Sequence, residues 1–243
     1  MILLNSIRQV YRRTLPEVLC VLCSEVCDDH KTFQQIPICT PCLSDLPIIT
    51  DPCHNCNTSL SIKNDSNVCG SCLHTQPFFQ KSTIPLEYIF PTTQLIKQLK
   101  YKNKLIFSEI LSKILLDKIQ QEKSLLPECI IPVPLYPLRL VKRGFNQSAL
   151  IAKAVSKELN IPVDFKSCQR IKNTLQQTGF NKNQRKKNIK NAFSVSNKFS
   201  AKHIAILDDV VTTGATVNEL AKVLQHAGAE RIEVWACART ISD

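Results

Sequence analysis

Two sets of residues in this chain have the types and spacing for chemistry. The first is the stretch "HIAILDDVVTTGATVNEL", residues 203–220, where an apolar run meets two adjacent acids, Asp208 and Asp209. A threonine-rich turn and a helix-like segment follow. Adjacent carboxylates accept hydrogen bonds from a vicinal diol or ligate a hard cation such as Mg2+. Thr212, Thr213 and Thr216 offer hydroxyls, and Gly214 allows close backbone approach. The helix opening at Ala215 points free N–H groups at an anion. The diol and the 5′-phosphate of one ribose can therefore be held from opposite ends of a single loop.

The second set is cysteine. Eight of the twelve cysteines lie in C-x-x-C pairs: "CVLC" (Cys20, Cys23), "CTPC" (Cys39, Cys42), "CHNC" (Cys53, Cys56) and "CGSC" (Cys69, Cys72). Each pair supplies one edge of a tetrahedral zinc site. Four pairs give two structural zinc ribbons, with sequential pairing closing the shorter loops and a crossed pairing left open. Glycine often follows the second cysteine of such a knuckle, but Ser24, Leu43, Asn57 and Leu73 stand there. The pattern fits reduced thiolates holding metal in the cytoplasm rather than a disulfide scaffold.

These groups need a scaffold. Cysteine pairs end before a composition change between Pro77 and Pro85, which predicts a zinc-ribbon-like module over 1–80 and a second domain over 81–243. "TTQLIKQLKYKNK" and "LIFSEILSKILLDKIQQ" carry apolar residues at helical spacing. "CIIPVP" reads as a short buried strand and "NQSALIAKAVSKELN" as a helix capped by Asn146 or Ser148. "IPVDF", "KHIAIL" and "RIEVWACA" read as strands, and "ATVNELAKVLQHAG" as a helix closed by Gly228. Alternation of this kind predicts an α/β fold: a mostly parallel sheet with flanking helices.

The net charge is +11, and no Asp or Glu occurs between Asp164 and Asp208. That interval suits a polyanionic partner, and Lys182, Lys186, Lys187 and Lys190 are its candidate nucleic-acid contacts. Candidate aromatic platforms are few (Phe145, Phe180, Phe193, Trp235), so tight base stacking is not expected. Arg139, Lys142 and Arg143, following the "CIIPVP" strand, are candidates for a pyrophosphate group. "QTGFNKNQRKKN" has the composition of a flap that closes over ligand. No run of eighteen apolar residues predicts membrane insertion, and "MILLNSIRQVYRRTLP" lacks the order of a secretory signal.

The acid–threonine stretch resembles the PRPP-binding motif of type I phosphoribosyltransferases, in which two acids follow an apolar strand and precede Thr-Gly-x-Thr. The resemblance implies that Asp208 and Asp209 hold the ribose hydroxyls of phosphoribosyl pyrophosphate (PRPP), brought with Mg2+, while Thr212 through Thr216 wrap its 5′-phosphate. It also implies a type I phosphoribosyltransferase-like sheet. "LKYKNK", "IIPVPLYPLRLVKRGFNQS" and "RIKNTLQQTGFNKNQRKKNIKNAF", ordered behind paired cysteines, resemble the ComF family of competence-associated proteins. Asn103 replaces the usual glycine of the first segment. The family resemblance makes Arg185 the leading flap residue. It implies a cytoplasmic role in natural transformation, with incoming single-stranded DNA and DNA-processing proteins as partners. The alternative is a phosphoribosyltransferase of nucleobase or nucleotide salvage with no DNA role. No general base stands out, and the acceptor is not legible.

Overall fold

A computed structural model describes residues 18–27, 36–60, 66–102, 104–174 and 182–241, except the side chains of 182, 183, 185 and 186. Contacts divide the chain into two compact units, Met1–Leu46 and Pro47–Asp243. The division falls between the two cysteine tetrads. In the smaller unit a knuckle carries Cys20 and Cys23, and a short helix α1 (Thr40–Ser44) follows Cys39.

The larger unit opens with the second knuckle and a short helix α2 (Gly70–His74). Strands β1 (Lys81–Thr83) and β2 (Leu86–Glu87) lead to helices α3 (Thr92–Lys102) and α4 (Ile106–Gln121). Then come β3 (Cys129–Pro132), α5 (Pro137–Arg143), α6 (Gln147–Leu159) and β4 (Cys168–Arg170). The chain finishes with α7 (Lys182–Ile189), β5 (Phe193–Val195), β6 (His203–Val211), α8 (Ala215–His226) and β7 (Arg231–Arg239).

The main sheet runs β1-β7-β6-β3, with β2 also on β7, and every pairing is parallel. The two central strands explain the apolar runs. Ile204–Leu207 and Ile232–Ala238 are buried throughout, as strands covered on both faces must be. Alternate residues then feed two layers. Ile204, Ile206, Ile232 and Val234 join Leu220 and Leu224 of α8 in one cluster, while α4 and α6 pack on the sheet without joining that cluster. Helix ends follow local chemistry. The Asn146 carboxamide oxygen accepts from the Ser148 N–H at 3.1 Å, and Gly228 sits just past α8 at φ +106°, a conformation costly for other residues.

Some expectations change. "IPVDF" contributes one parallel bridge, Val163 to Ile130, rather than a strand. β6 does not stop before the acids but runs through them to Val211, because β7 offers partners as far as Arg239. The prolines of "LYPLRLVKR" suggest a loop, yet Pro137 occupies the first turn of α5, where its missing N–H costs nothing. β4 and β5 form a separate antiparallel ribbon.

Leu220 is fully buried beneath α8. Leu220→Ala should lower unfolding free energy in urea by about 2–5 kcal/mol. Leu138→Ala, on an exposed residue of α5, should change it by less than about 0.5 kcal/mol.

Candidate functional site

The acids sit side by side near the end of β6, and the surrounding elements treat them differently. The Lys100 ammonium, from α3, donates to Asp209 Oδ2 at 2.6 Å, with both side chains largely buried. Burial opposes the charge on Lys100, but the Asp209 carboxylate more than compensates and holds the lysine above its usual range. Asp208 has no such cation of its own. Its Oδ1 accepts from Ser148 Oγ at 3.0 Å and from the Asp209 N–H at 2.9 Å. Burial, and then the Asp209 charge, push the Asp208 carboxyl up to about 7 against the pull of Lys100 and those donors.

Both acids line a cavity of about 260 Å³ whose lining also includes three guanidiniums. Arg139 and Arg143 reach it from α5 and Arg170 from β4. Arg139 and Arg170 both donate to Thr174, through its carbonyl and its hydroxyl respectively, and Arg143 donates to Gln147 Oε1 at 2.9 Å. No carboxylate pairs with the three guanidiniums among the described residues. Burial and then the Arg139 charge lower Arg170 to about 10, while burial and Arg143 lower Arg139. The Arg170 Nε and Gln147 Nε2 atoms are buried without a hydrogen-bond partner. Unmatched buried donors beside crowded cations are what a bound polyanion would satisfy.

The third wall is the turn after β6. Gly214 adopts φ +75° as the residue before α8, and the Ala215 N–H donates to Thr213 Oγ1 at 3.4 Å. Thr212, Gly214 and Thr216 line the cavity, next to first-turn N–H groups that have no acceptor within the helix. The cavity is thus bounded by carboxylates, guanidiniums and an anion-receptive helix start. Lys142 is exposed and does not line it. Lys187 and Lys190 are exposed on and after α7, which occupies part of the basic segment expected to act as a flap. The side chains of Lys182, Arg185 and Lys186, and residues 177–181 of the flap, lie outside the described residues.

Sequence reasoning missed Lys100, Gln147 and Arg170 as lining residues, along with Tyr88. Ser148 was considered only as a helix cap. An acid-free segment around Lys100, from Tyr88 to Ser108, was the available signal.

The cysteines assemble in chain order. Cys20, Cys23, Cys39 and Cys42 form one cluster and Cys53, Cys56, Cys69 and Cys72 another, each with sulfurs within 4.8 Å of one another. The Cys23–Cys39 and Cys56–Cys69 sulfur separations of 3.7 and 3.6 Å match the roughly 3.8 Å edge of a tetrahedron with 2.3 Å metal–sulfur bonds. Both clusters use one plan, a knuckle followed by a pair opening a short helix. Ser24 and Asn57 take φ +66° and +59°, so they occupy the left-handed turn that glycine usually fills, and Asn57 donates from Nδ2 to the Ile84 carbonyl at 3.1 Å. Leu43 and Leu73 need no glycine because they lie inside α1 and α2. Burial resists ionisation of Cys20, yet backbone donors from Cys23, Cys39 and Leu22 hold it near 6. Cys56 is held near 6 chiefly by its bond with Cys53, against burial. The donor set fits zinc.

The raised Asp208 carboxyl has a stability consequence. With the folded value near 7 and the unfolded one near 4, its favourable contribution is complete below pH 4 and lost as pH rises through 7. Asp208→Asn should therefore raise the melting temperature of the ligand-free protein at pH 8, by about 2 °C or more. The gain should shrink at pH 5, as followed by circular dichroism.

Residues 146–242 match the Phosphoribosyl transferase domain family. The chain is 38% identical to Competence protein F of Haemophilus influenzae over 194 residues, covering 77% of this chain and 84% of that protein. It is 36% identical to DNA utilization protein YhgH of Escherichia coli K12, covering 71% and 78%. It is 26% identical to Competence protein ComFC of Streptococcus pneumoniae, covering 90% and 99%. Among the described residues no helix is long and apolar enough to cross a membrane. With a parallel sheet, a strand-end cavity bearing paired acids, two cysteine tetrads and these relatives, the chain belongs to the ComF family, with a phosphoribosyltransferase-type domain.

Proposed function

We propose that the cavity binds PRPP with magnesium and that the chain uses this ligand in handling single-stranded DNA. The observation that carries the ligand reading is one cavity bounded by Asp208 and Asp209 on one wall and by Arg139, Arg143 and Arg170 on another. A ribose diol matches the acids, a 5′-phosphate the Thr212–Thr216 turn, and a pyrophosphate the guanidiniums. Magnesium bound to the pyrophosphate would add positive charge beside Asp208 and favour its ionised form. Asp208 and Asp209 are the residues to face it. Two zinc ions in the cysteine tetrads complete the cofactor set.

The DNA reading is supported by the acid-free interval ahead of β6, with Lys187 and Lys190 exposed, and by relatives named for competence and DNA utilization. Whether ligand binding is followed by transfer of the ribosyl group is a separate question that a panel of bases, scored for pyrophosphate release, answers directly.

Calorimetric titration of PRPP with Mg2+ should give a saturable heat. Asp208→Asn with Asp209→Asn, and separately Arg139→Ala, should weaken binding at least about tenfold, the loss of a charge-assisted contact. No heat from the wild-type protein would overturn the ligand reading. Metal analysis of protein purified under reducing conditions should find about two zinc ions per chain. Salt-sensitive binding of single strands should persist in the Asp208/Asp209 double variant.

A further inference from the structure

A protein that handles single strands must offer the bases somewhere to rest, and in the basic interval the one exposed ring among the described residues, Phe165, is 47% exposed with the Lys153 ammonium 5.5 Å from its centre. Phe193 and Trp235 are buried in the core, Phe145 is half-buried, and Phe180 lies outside the described residues. Exposed rings stand elsewhere. Phe90 and Tyr101 are 75% and 69% exposed, and both line an open groove along α3 together with Gln94, Lys97, Gln98 and Lys102.

Lys97 and Tyr101 are one turn apart and share a helix face. The opposite face of α3 is anchored, since Leu95, Ile96 and Leu99 are fully buried, so the rings project from a fixed support. Between Tyr88 and Ser108 there is no acid, while Lys97, Lys100, Lys102 and Lys104 lie in that span. Lys100 turns inward to Asp209. Lys97, Lys102 and Lys104 are exposed and make no ion pair among the described residues.

Two solvent-facing rings, side-chain amides and unpaired ammonium groups describe the chemistry of a single strand. Each base has a π-face for a ring, and each phosphate a charge for a lysine. A helical peptide would instead need aliphatic sockets, which this groove lacks. A duplex hides its base faces and would gain only the phosphate contribution.

We propose that the outer face of α3 is the platform for single-stranded nucleic acid, with bases stacked on Phe90 and Tyr101 and phosphates held by Lys97 and Lys102. The inference rests on the single-strand reading above and gives it a location. Because Lys100 on the same helix reaches the acid pair, the strand would lie beside the phosphoribosyl cavity rather than across the molecule.

Fluorescence anisotropy of the full chain with a labelled oligothymidylate of about 20 nucleotides tests it. Phe90→Ala and Tyr101→Ala should each weaken binding at least about fivefold with unchanged melting temperature. Lys97→Gln with Lys102→Gln should reduce the salt slope by about 1.4. Tyr101→Trp should retain binding, and its emission should be quenched by the strand, which reports direct contact. If the wild-type protein binds the strand and the ring variants bind equally well, the platform assignment is wrong, all the more so if Lys186→Glu with Lys187→Glu abolishes binding. If the wild-type protein binds no single strand, the DNA reading falls with it.

Discussion

Two carboxylates one residue apart in a strand cannot both be ionised cheaply where water is scarce. The larger unit is arranged around that difficulty. One acid is relieved by Lys100, which requires α3 to pass close to the end of β6. The other, Asp208, is left with a serine hydroxyl and a backbone N–H, and keeps its proton to an unusually high pH. Elsewhere in the cavity lining the mirror problem arises, as Arg139 and Arg170 crowd each other with no ion pair among the described residues. Both strains would be relieved by the ligand proposed above, a diol at one end and a polyanion at the other.

Legibility in the sequence tracked how local each signal is. The central strands announced themselves because burial on both faces removes polar residues from the run, as in "IAIL" and "IEVWACA". The turn before α8 was legible because its hydroxyls and glycine lie within five residues. The cysteine clusters were legible because a knuckle fixes its own spacing. Lys100 was not, since a lysine on an amphipathic helix looks the same whether it faces solvent or a buried acid more than a hundred residues away. Arg170 depended on a three-residue ribbon too short to leave a periodic trace. The exposed rings of Phe90 and Tyr101, before and on α3, leave no mark in the density of positive charge, which says nothing about where a side chain points. Ser24 and Asn57 show a further limit: asparagine tolerates the left-handed turn and serine is held there by the knuckle, so the absence of glycine carried no structural meaning.

The second cysteine tetrad is bound into the body of the domain. Cys53 and Cys56 belong to the same apolar cluster as Ile204, Val234 and Leu224. Ser82 Oγ donates to the Asn55 carbonyl at 2.7 Å, and the Phe78 N–H donates to Asn218 Oδ1, on the first turn of α8, at 2.8 Å. Arg239, at the end of β7 and opposite Val211, donates from Nε to Thr58 Oγ1 at 2.6 Å, and its charge helps hold the Cys56 thiol below its usual range, favouring the thiolate. The knuckle therefore props the sheet edge that carries the threonine turn.

This has a bearing on how the protein can be dissected. A fragment starting at Lys81 would keep every strand of the sheet yet lose Ile49, Cys53, Cys56 and Phe79, leaving the β6 and α8 side of the core open to water. A fragment starting at Pro47 would retain them all. The smallest piece able to stand alone is thus fixed by which side chains plug the core, and the sulfur cluster nearest the sheet travels with the paired acids and the threonine turn as one inseparable part.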